Sequence, residues 1–371
     1  MDLQAIFFLL LRASLTKTPV DVKLFDNLSP EDWKQLYQMS ARQGVLGIVY
    51  ETVLQLPLDS MPPRMLNLQW ALGSDAIRNR YKNQYLLSKA IAELWACQGI
   101  RVAVLKGMSL SRYYPVPEHR ECGDFDCYLF GEFDKGNRIA AENGVKVGTR
   151  VYHRGVKVDT SWYKHSHIKF HGLMVENHRY FLPVRGHKER KEIEKILTET
   201  INSGNDLGVV PGTSIIIPNL HFTTLFLACH TLFHFLTEGI RLRHVCDWRC
   251  LLAAEQNNID WEWFYGVCDR YGIRRFVDAM TAISVKHLGL QVVNPAITCE
   301  SNYDDIILTS IMEDSAFIFS KGKGQYWSRF KLLSNIVTYR WKYKHIYQRN
   351  FFGQMARQVA GYLFEQKIRM N

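Results

Sequence analysis

The chain has 371 residues, of which 47% are hydrophobic and 22% are charged. This composition excludes wholesale disorder, and the length predicts one large domain or two to three small ones. The net charge of +10 is local, because residues 319–371 contain eleven Lys or Arg and one acid, while the remainder of the chain balances at zero.

No pattern typical of secretion or membrane insertion is present. The apolar N-terminal run, residues 5–11, is too short to span a bilayer and is followed by Arg12. The eight cysteines form no CxxC pair, which argues against a disulfide framework or a cysteine-ligated zinc site. We therefore expect a cytoplasmic protein with reduced thiols and no transmembrane segment.

Residues 1–85 are predicted to form an N-terminal helical region. The segment Ser29-Pro30-Glu31-Asp32 is typical of a helix start, since serine can cap, proline suits the first turn and acids favour the positive helix end. A further amphipathic helix is predicted over residues 84–98 and ends at Gly99.

Residues 86–185 are predicted to form a small mixed β-sheet core. Short apolar runs predict strands over residues 101–105 and 125–130, with helices over 109–114 and 133–143. The pattern from 145 to 181 is strand-like, with a turn at His171-Gly172.

Helices are predicted again from residue 186 onward. Residues 220–236 are apolar over a wide arc, and Asp260 can cap the next helix. Residues 186–318 are assigned to a helical domain and residues 319–371 to a basic, aromatic-rich helical tail. The predicted fold class is α+β, with the sheet core flanked by N-terminal and C-terminal helical regions.

The sharpest local motif is Gly123-Asp124-Phe125-Asp126. On a strand, Asp124 and Asp126 point to the same face, where two like charges repel. A divalent cation such as Mg²⁺ relieves that repulsion, and Gly123 leaves room for a phosphate group. Alone the motif has low specificity, because such pairs are common on solvated strands.

Three further features favour a phosphate and metal site. Lys106-Gly107 ends a strand before a short helix, an arrangement that binds anions, and Lys106 and Ser109 can donate to phosphate. Arg120 can bind phosphate through two parallel hydrogen bonds. A later strand carries Glu176, which can place a third carboxylate beside the pair.

Together these motifs resemble the uncharacterised nucleotidyltransferase family of the DNA polymerase β-like superfamily. The matching residues are Leu105-Lys106-Gly107, Tyr114-Pro115-Val116-Pro117, Arg120, Gly123-Asp124-Phe125-Asp126, Glu176-Asn177-His178, Leu242-Arg243-His244-Val245-Cys246-Asp247 and Ile259-Asp260-Trp261. The resemblance covers roughly residues 25–290, and its order and spacing are more specific than any single piece.

The resemblance implies transfer of a nucleoside monophosphate from a nucleoside triphosphate to a hydroxyl acceptor, with release of pyrophosphate. Two Mg²⁺ ions, or Mn²⁺, would be held by Asp124, Asp126 and Glu176, the implied catalytic residues. The implied phosphate-binding residues are Lys106, Gly107, Ser109, Arg120 and Gly123. The acceptor can be RNA, a protein or a small molecule.

Several assignments stay open at this point. Asp159 competes with Glu176 for the third ligand position. Asp247 is interpreted as the partner of Arg243 in an i, i+4 ion pair or as a substrate contact. His230 and His234 are interpreted either as packed histidines near a domain interface or as residues that line the cleft.

Four histidines, His165, His167, His171 and His178, lie on or near the predicted strands. They can tune the site or be ordinary exposed residues. No cysteine or acid stands at a fixed spacing from them, so no zinc site is predicted there.

The tail alternates aromatic and cationic residues, including Tyr326-Trp327, Arg329 and 339–344. Such a surface can bind RNA, lie on an anionic membrane, or bury its aromatic rings and leave its cations in water. The alternative to an enzyme is therefore a catalytically inactive module that keeps the nucleotidyltransferase fold and holds nucleic acid or another acidic partner through this tail.

Overall fold

A computed structural model describes residues 2–148, 152–153, 156–157, 164–184, 188–314, 340–347 and 353. Within them the α-helices are α1 Leu3–Thr16, α2 Pro30–Arg42, α3 Leu46–Val53, α4 Arg64–Ala96, α5 Met108–Ser111, α6 Phe133–Glu142, α7 Lys188–Ile201, α8 Leu220–Thr237, α9 Leu242–Glu255, α10 Trp261–Tyr271, α11 Arg274–Leu288 and α12 Asp304–Asp314. The strands are β1 Val102–Val104, β2 Phe125–Tyr128, β3 Lys146–Gly148, β4 Tyr152–His153, β5 Val156–Lys157, β6 His165–Phe170, β7 Leu173–His178 and β8 Ile215–Ile216. Short 3₁₀ turns occupy Val22–Leu24, Leu58–Ser60 and Pro117–His119. The predicted α+β class is confirmed.

The helix starts follow the capping chemistry of the sequence. The Ser29 hydroxyl accepts from the backbone N–H of Asp32 at 3.1 Å, and the Asp32 carboxylate accepts from the backbone N–H of Ser29 at 2.9 Å, so α2 begins with a capping box. Asp260 caps α10 through the N–H of Trp263 at 3.0 Å, as predicted.

Helix α4 is longer than the two segments that the sequence predicts. Its 33 residues run without interruption from Arg64 to Ala96, across the proposed boundary at residues 85 and 86. At its C-terminal end the Trp95 indole N–H donates to the carbonyl of Gly136 at 3.0 Å, which fixes α4 against α6. The division of the chain into four regions stays a prediction.

Six strands form one mixed sheet in the order β3-β6-β7-β2-β1-β8. Strands β2 and β7 are parallel neighbours at its centre, β1 lies antiparallel to β2, and β6 and β7 form the predicted hairpin around His171-Gly172. His171 has a φ of 47° and Gly172 a φ of 91°, the left-handed conformations that a two-residue hairpin turn requires.

The two faces of the sheet differ, because successive side chains of a strand point in opposite directions. One face is mainly apolar and packs against α4 and α6 through Val102, Val104, Phe125, Cys127, Ile168 and Val175. The other face, called the polar face below, carries Asp126, His165, His167, Glu176 and His178. The alternation places all the chemistry-bearing strand residues on the side that faces α8.

Helix α8 joins the sheet to the helical region. It is the one described helix long and apolar enough to cross a membrane, with a mean hydropathy of 1.2, and 78% of that window is buried inside the protein. Its Phe222 ring contacts Phe181, which follows β7, at 4.9 Å between centroids. This buried packing accounts for its wide apolar arc.

Only residues 340–347 and 353 of the basic tail are among those described. Residues Lys342–Tyr347 form a π-helical turn, and the Lys342 ammonium group donates to the carbonyl of Phe235 at 3.1 Å. Tyr343 and Tyr347 are buried, whereas Lys344 is exposed. This piece therefore packs on the protein; the other basic and aromatic residues of the tail lie outside the described ranges.

Candidate active site

The parallel pairing of β2 and β7 brings two acids side by side. Asp126 lies opposite Glu176 in the register, and Asp124 stands in the segment just before β2, two residues ahead of Asp126. Asp126 is 1% exposed and Glu176 is 17% exposed, whereas Asp124 is open to solvent. The structure thus pairs Asp126 with Glu176, and Asp124 is close enough for both charges to act on its pKa. Asp159 lies outside the described residues.

The charges of this group oppose one another. Partial desolvation, followed by the negative charges of Glu176 and Asp126, raises the pKa of Asp124. The side chain of Gln84 on α4 donates to the backbone carbonyl of Asp124 at 2.9 Å and so fixes this segment beside the sheet. A local cation would lower the cost of holding these carboxylates together.

Two cationic or polar neighbours hold Asp126 in its ionised form. Burial opposes ionisation, but the Lys106 ammonium group 3.2 Å from one carboxylate oxygen and the His178 imidazole 3.2 Å from the other keep the pKa of Asp126 below its usual range. Burial likewise opposes ionisation of Glu176, and the histidines around it, first His178, lower its pKa. Both acids are therefore ready to bind a cation at neutral pH.

The donor set fits a hard divalent cation. Asp124, Asp126 and Glu176 offer only carboxylate oxygens, the ligands that Mg²⁺ prefers together with phosphate oxygens. The buried Oδ2 atom of Asp126 has no hydrogen bond within the described part of the chain, although Lys106 lies at ion-pair distance. A bound cation would share that oxygen with Lys106.

The loop after β1 offers room and donors for phosphate. Gly107 has a φ of 70°, a conformation that L side chains rarely adopt, and it leads directly into α5. The hydroxyl of Ser109 is buried and has no hydrogen-bond partner among the described residues. An ideal Cβ at Gly123 would meet nothing within 4 Å, so the backbone there is open to a ligand.

The Arg120 side chain is paired with a carboxylate rather than available to phosphate. Its guanidinium group is 5% exposed and binds both carboxylate oxygens of Asp247, at 2.6 and 2.8 Å. The Tyr114 hydroxyl donates to the same carboxylate at 2.6 Å. The pair links the segment before β2 to α9, and the phosphate-binding role of Arg120 stays a prediction.

The interpretation of Asp247 as the partner of Arg243 is wrong. Arg243 instead donates to the backbone carbonyl of Glu121 at 2.7 Å. The Asp247 carboxylate accepts hydrogen bonds from Arg120 and Tyr114. Burial opposes ionisation of Asp247, but the adjacent Arg120 charge keeps the pKa of this carboxyl below its usual range. Two planar groups with parallel hydrogen bonds form a stronger contact than an i, i+4 pair on one helix.

His230 combines both interpretations that the sequence left open. It is buried on α8, and its Nε2 atom lies 3.5 Å from the Lys106 ammonium group. The ring of His234 contacts that of His230 at 4.5 Å between centroids. A cavity of about 30 Å³, lined in part by Lys106, Arg120 and His230, separates the sheet core from α8 and α9.

The comparison with protein families agrees with this geometry. A model of the family described as uncharacterised nucleotidyltransferase matches residues 29–289, which include the sheet, the carboxylates and α8 to α11. The chain belongs to this family. Nucleotidyl transfer is thereby supported as its general function. No curated protein and no solved structure matches the chain.

Within this nucleotidyltransferase, Lys106 lies 3.2 Å from Asp126, and Asp126 pairs with Glu176 in the sheet. Gly107 and Ser109 follow Lys106 in the chain, and Gly123 precedes Asp124. The sequence did not predict where His165, His167 and His178 lie relative to Glu176. His165 lies opposite His178 and His167 opposite Glu176 in the hairpin register. Counting outward from the predicted turn at His171-Gly172 produces the same pairs, so the signal was present.

Burial and the neighbouring His178 lower the pKa of His165 to about 3, so its ring is neutral at physiological pH. Lys164, which precedes β6, was also missed. Burial and the Lys106 charge lower its pKa, and Asp126 and Glu176 act in the opposite direction. The polar face is therefore richer in nitrogen bases than the carboxylate motif alone indicates.

Proposed function

We propose that the protein is a Mg²⁺-dependent nucleotidyltransferase that moves a nucleoside monophosphate from a nucleoside triphosphate to a hydroxyl acceptor. The pairing of Asp126 with Glu176 on adjacent parallel strands, with Asp124 just before the first of them, is the observation that carries the proposal. Membership of the nucleotidyltransferase family supports the reaction class.

Asp124, Asp126 and Glu176 are assigned as the ligands of the metal. Two Mg²⁺ ions, or Mn²⁺, would supply positive charge to the triphosphate and to the acceptor oxygen. Asp124 is the most exposed carboxylate of the three, so an acceptor hydroxyl can reach it. As a carboxylate, Asp124 would accept the proton of that hydroxyl.

The loop after β1 is assigned to phosphate. Lys106 and the unpartnered Ser109 hydroxyl would donate to phosphate oxygens, and Gly107 and Gly123 leave the backbone accessible. The acceptor oxygen forms a bond to the α-phosphorus, the bond to the bridging oxygen breaks, and pyrophosphate leaves. Donors fixed in a buried loop stabilise the charge that develops on that leaving group.

Arg120 is assigned a positioning role. Its paired hydrogen bonds with Asp247 hold the segment that leads into Asp124 against α9. Residues 319–371, with their net charge of +10, make RNA the first acceptor to test.

The proposal is tested by calorimetric titration of each of the four nucleoside triphosphates, with and without Mg²⁺. The Asp124→Asn/Asp126→Asn variant is compared with Asp59→Asn/Asp305→Asn, which removes two exposed acids far from the sheet. Binding should require Mg²⁺ and should be lost only in the first variant. Equal binding in both variants, or no binding by the wild type even with RNA present, would favour the inactive binding module.

A further inference from the structure

Three imidazole rings surround the carboxylate of Glu176. The Nε2 atoms of His165 and His167 lie 3.6 and 3.7 Å from its Oε1 atom, and Nε2 of His178 lies 3.7 Å from Oε2. These separations are too long for hydrogen bonds. They are close to the roughly 3.4 Å that separates two ligands of a tetrahedral metal with bonds of about 2.0–2.1 Å.

The hydrogen bonding of His178 fixes the orientation of its ring. Its Nδ1 atom lies 3.1 Å from the carbonyl oxygen of Tyr180, which can only accept, so Nδ1 is the donor. The other ring nitrogen, Nε2, is thereby directed at the two acids, 3.2 Å from Oδ1 of Asp126 and 3.7 Å from Oε2 of Glu176.

His165 approaches the same acid from the neighbouring strand. Its ring lies 5.1 Å from the ring of His178, and its Nδ1 atom has no partner among the described residues. Two imidazoles and one carboxylate grouped in this way can share a metal ion.

We propose that His165, Glu176 and His178 bind a transition-metal ion of the zinc class. Their ligand atoms all lie within 4.8 Å of one another. Imidazole nitrogen suits Zn²⁺, Co²⁺ and similar ions, whereas Mg²⁺ prefers oxygen. The carbonyl of Tyr180 supplies the outer hydrogen bond that fixes a metal-binding histidine. The sequence predicted no zinc site because Glu176, the acidic ligand, lies beside His165 only when β6 pairs with β7.

The site is accessible from solvent, and its open side leaves space for a fourth ligand. His165 is 21% exposed and Glu176 is 17% exposed, while His178 is buried beneath them. Three protein ligands with a solvent-accessible side are typical of metal sites that exchange a fourth ligand. Glu176 is shared with the proposed Mg²⁺ ligands, so the two sites would be neighbours.

The test is titration of the metal-free full-length chain with Zn²⁺ by calorimetry and with Co²⁺ by visible absorption. His165→Gln is the informative variant because His165 is partly exposed and can be changed with less risk to folding. His171→Asn is the matched control, since His171 is exposed at the turn of the same hairpin and asparagine tolerates its positive φ.

One equivalent of Zn²⁺ should bind the wild type and the control alike, and His165→Gln should weaken it by at least about tenfold. X-ray absorption at the zinc edge should show two imidazoles and no thiolate. No zinc binding by the wild type, or equal affinity in His165→Gln, would overturn the proposal. Metal binding does not depend on nucleotidyl transfer, and Mg²⁺-dependent nucleotide binding measured on His165→Gln separates failure of this site from failure of the proposed function.

Discussion

Asp126 and Glu176 face each other from neighbouring parallel strands, one almost wholly buried and the other partly open to solvent. Between them, the Lys106 ammonium group and the His178 ring contact the two oxygens of Asp126. A buried acid with this many charged and polar neighbours is typical of a functional site rather than of a stabilising contact. Substitutions of single residues can distinguish side chains that contact substrate from those that stabilise the fold.

Ser109→Ala should leave the free energy of unfolding unchanged or raise it by up to about 1 kcal/mol, because the buried hydroxyl has no partner in the described part of the chain. The same change should weaken nucleotide binding by about tenfold, since a hydrogen bond to a charged phosphate is lost. Urea unfolding and nucleotide calorimetry measure the two effects.

Ser111→Ala on the same short helix is the control. Its hydroxyl lies 3.0 Å from that of Tyr81 and donates to the carbonyl of Met108 at 3.2 Å. Its loss should cost about 1–2 kcal/mol of stability and leave nucleotide affinity unchanged. The assignment of Ser109 to phosphate fails if both variants lose stability and neither loses affinity.

Arg120→Met should destabilise the protein by about 3–5 kcal/mol, because it leaves the buried Asp247 carboxylate without its counter-charge. The double variant Arg120→Met/Asp247→Leu should recover much of that loss, since no buried charge is then unpaired. Urea denaturation of both variants checks this. A phosphate-binding Arg120 would give the opposite pattern, with wild-type stability and lost nucleotide affinity.

Glu194 gives a prediction for pH. Burial raises the pKa of its carboxyl to about 7, although the backbone N–H groups of Phe181 and Leu182 donate to it. The folded state then holds a proton that the unfolded state releases near its ordinary pKa of 4.5. This contribution is complete below about pH 4.5 and declines as pH rises to about 7, by roughly 3 kcal/mol.

Glu194→Gln should remove that decline, because glutamine does not titrate. Urea midpoints at pH 5 and pH 8 should therefore differ more in the wild type than in the variant. An identical pH dependence in the two proteins would show that Glu194 does not titrate between these values.

Much of the fold was accessible from local patterns. The cap at Ser29, the turn at His171-Gly172 and the strand that contains Asp126 each depend on a few adjacent residues. Helix α4 was predicted in two pieces because periodicity locates apolar faces better than helix ends. Roles for Asp124, Asp126 and Glu176 in catalysis stay predictions.

The features that the sequence did not predict concern contacts between residues distant in the chain. Asp247 was predicted to pair with Arg243 on the same helix. Its actual partner, Arg120, is 127 positions away in the chain, and no local sequence pattern indicates that contact. The proximity of Lys106 to His230 likewise spans 124 positions and arises only when α8 packs over the sheet. The grouping of histidines around Glu176 follows from hairpin register, which the sequence contains but which must be counted explicitly.

The central claim is transfer of a nucleoside monophosphate at the Asp124, Asp126 and Glu176 carboxylates. The most direct measurement supplies the preferred nucleoside triphosphate, labelled on either the α- or the γ-phosphate, with Mg²⁺ and RNA or an extract as the acceptor. The wild type should incorporate the α-label and release the γ-label as pyrophosphate, and Asp124→Asn/Asp126→Asn should do neither. Incorporation of the γ-label, or equal α-incorporation in the variant, would contradict the account.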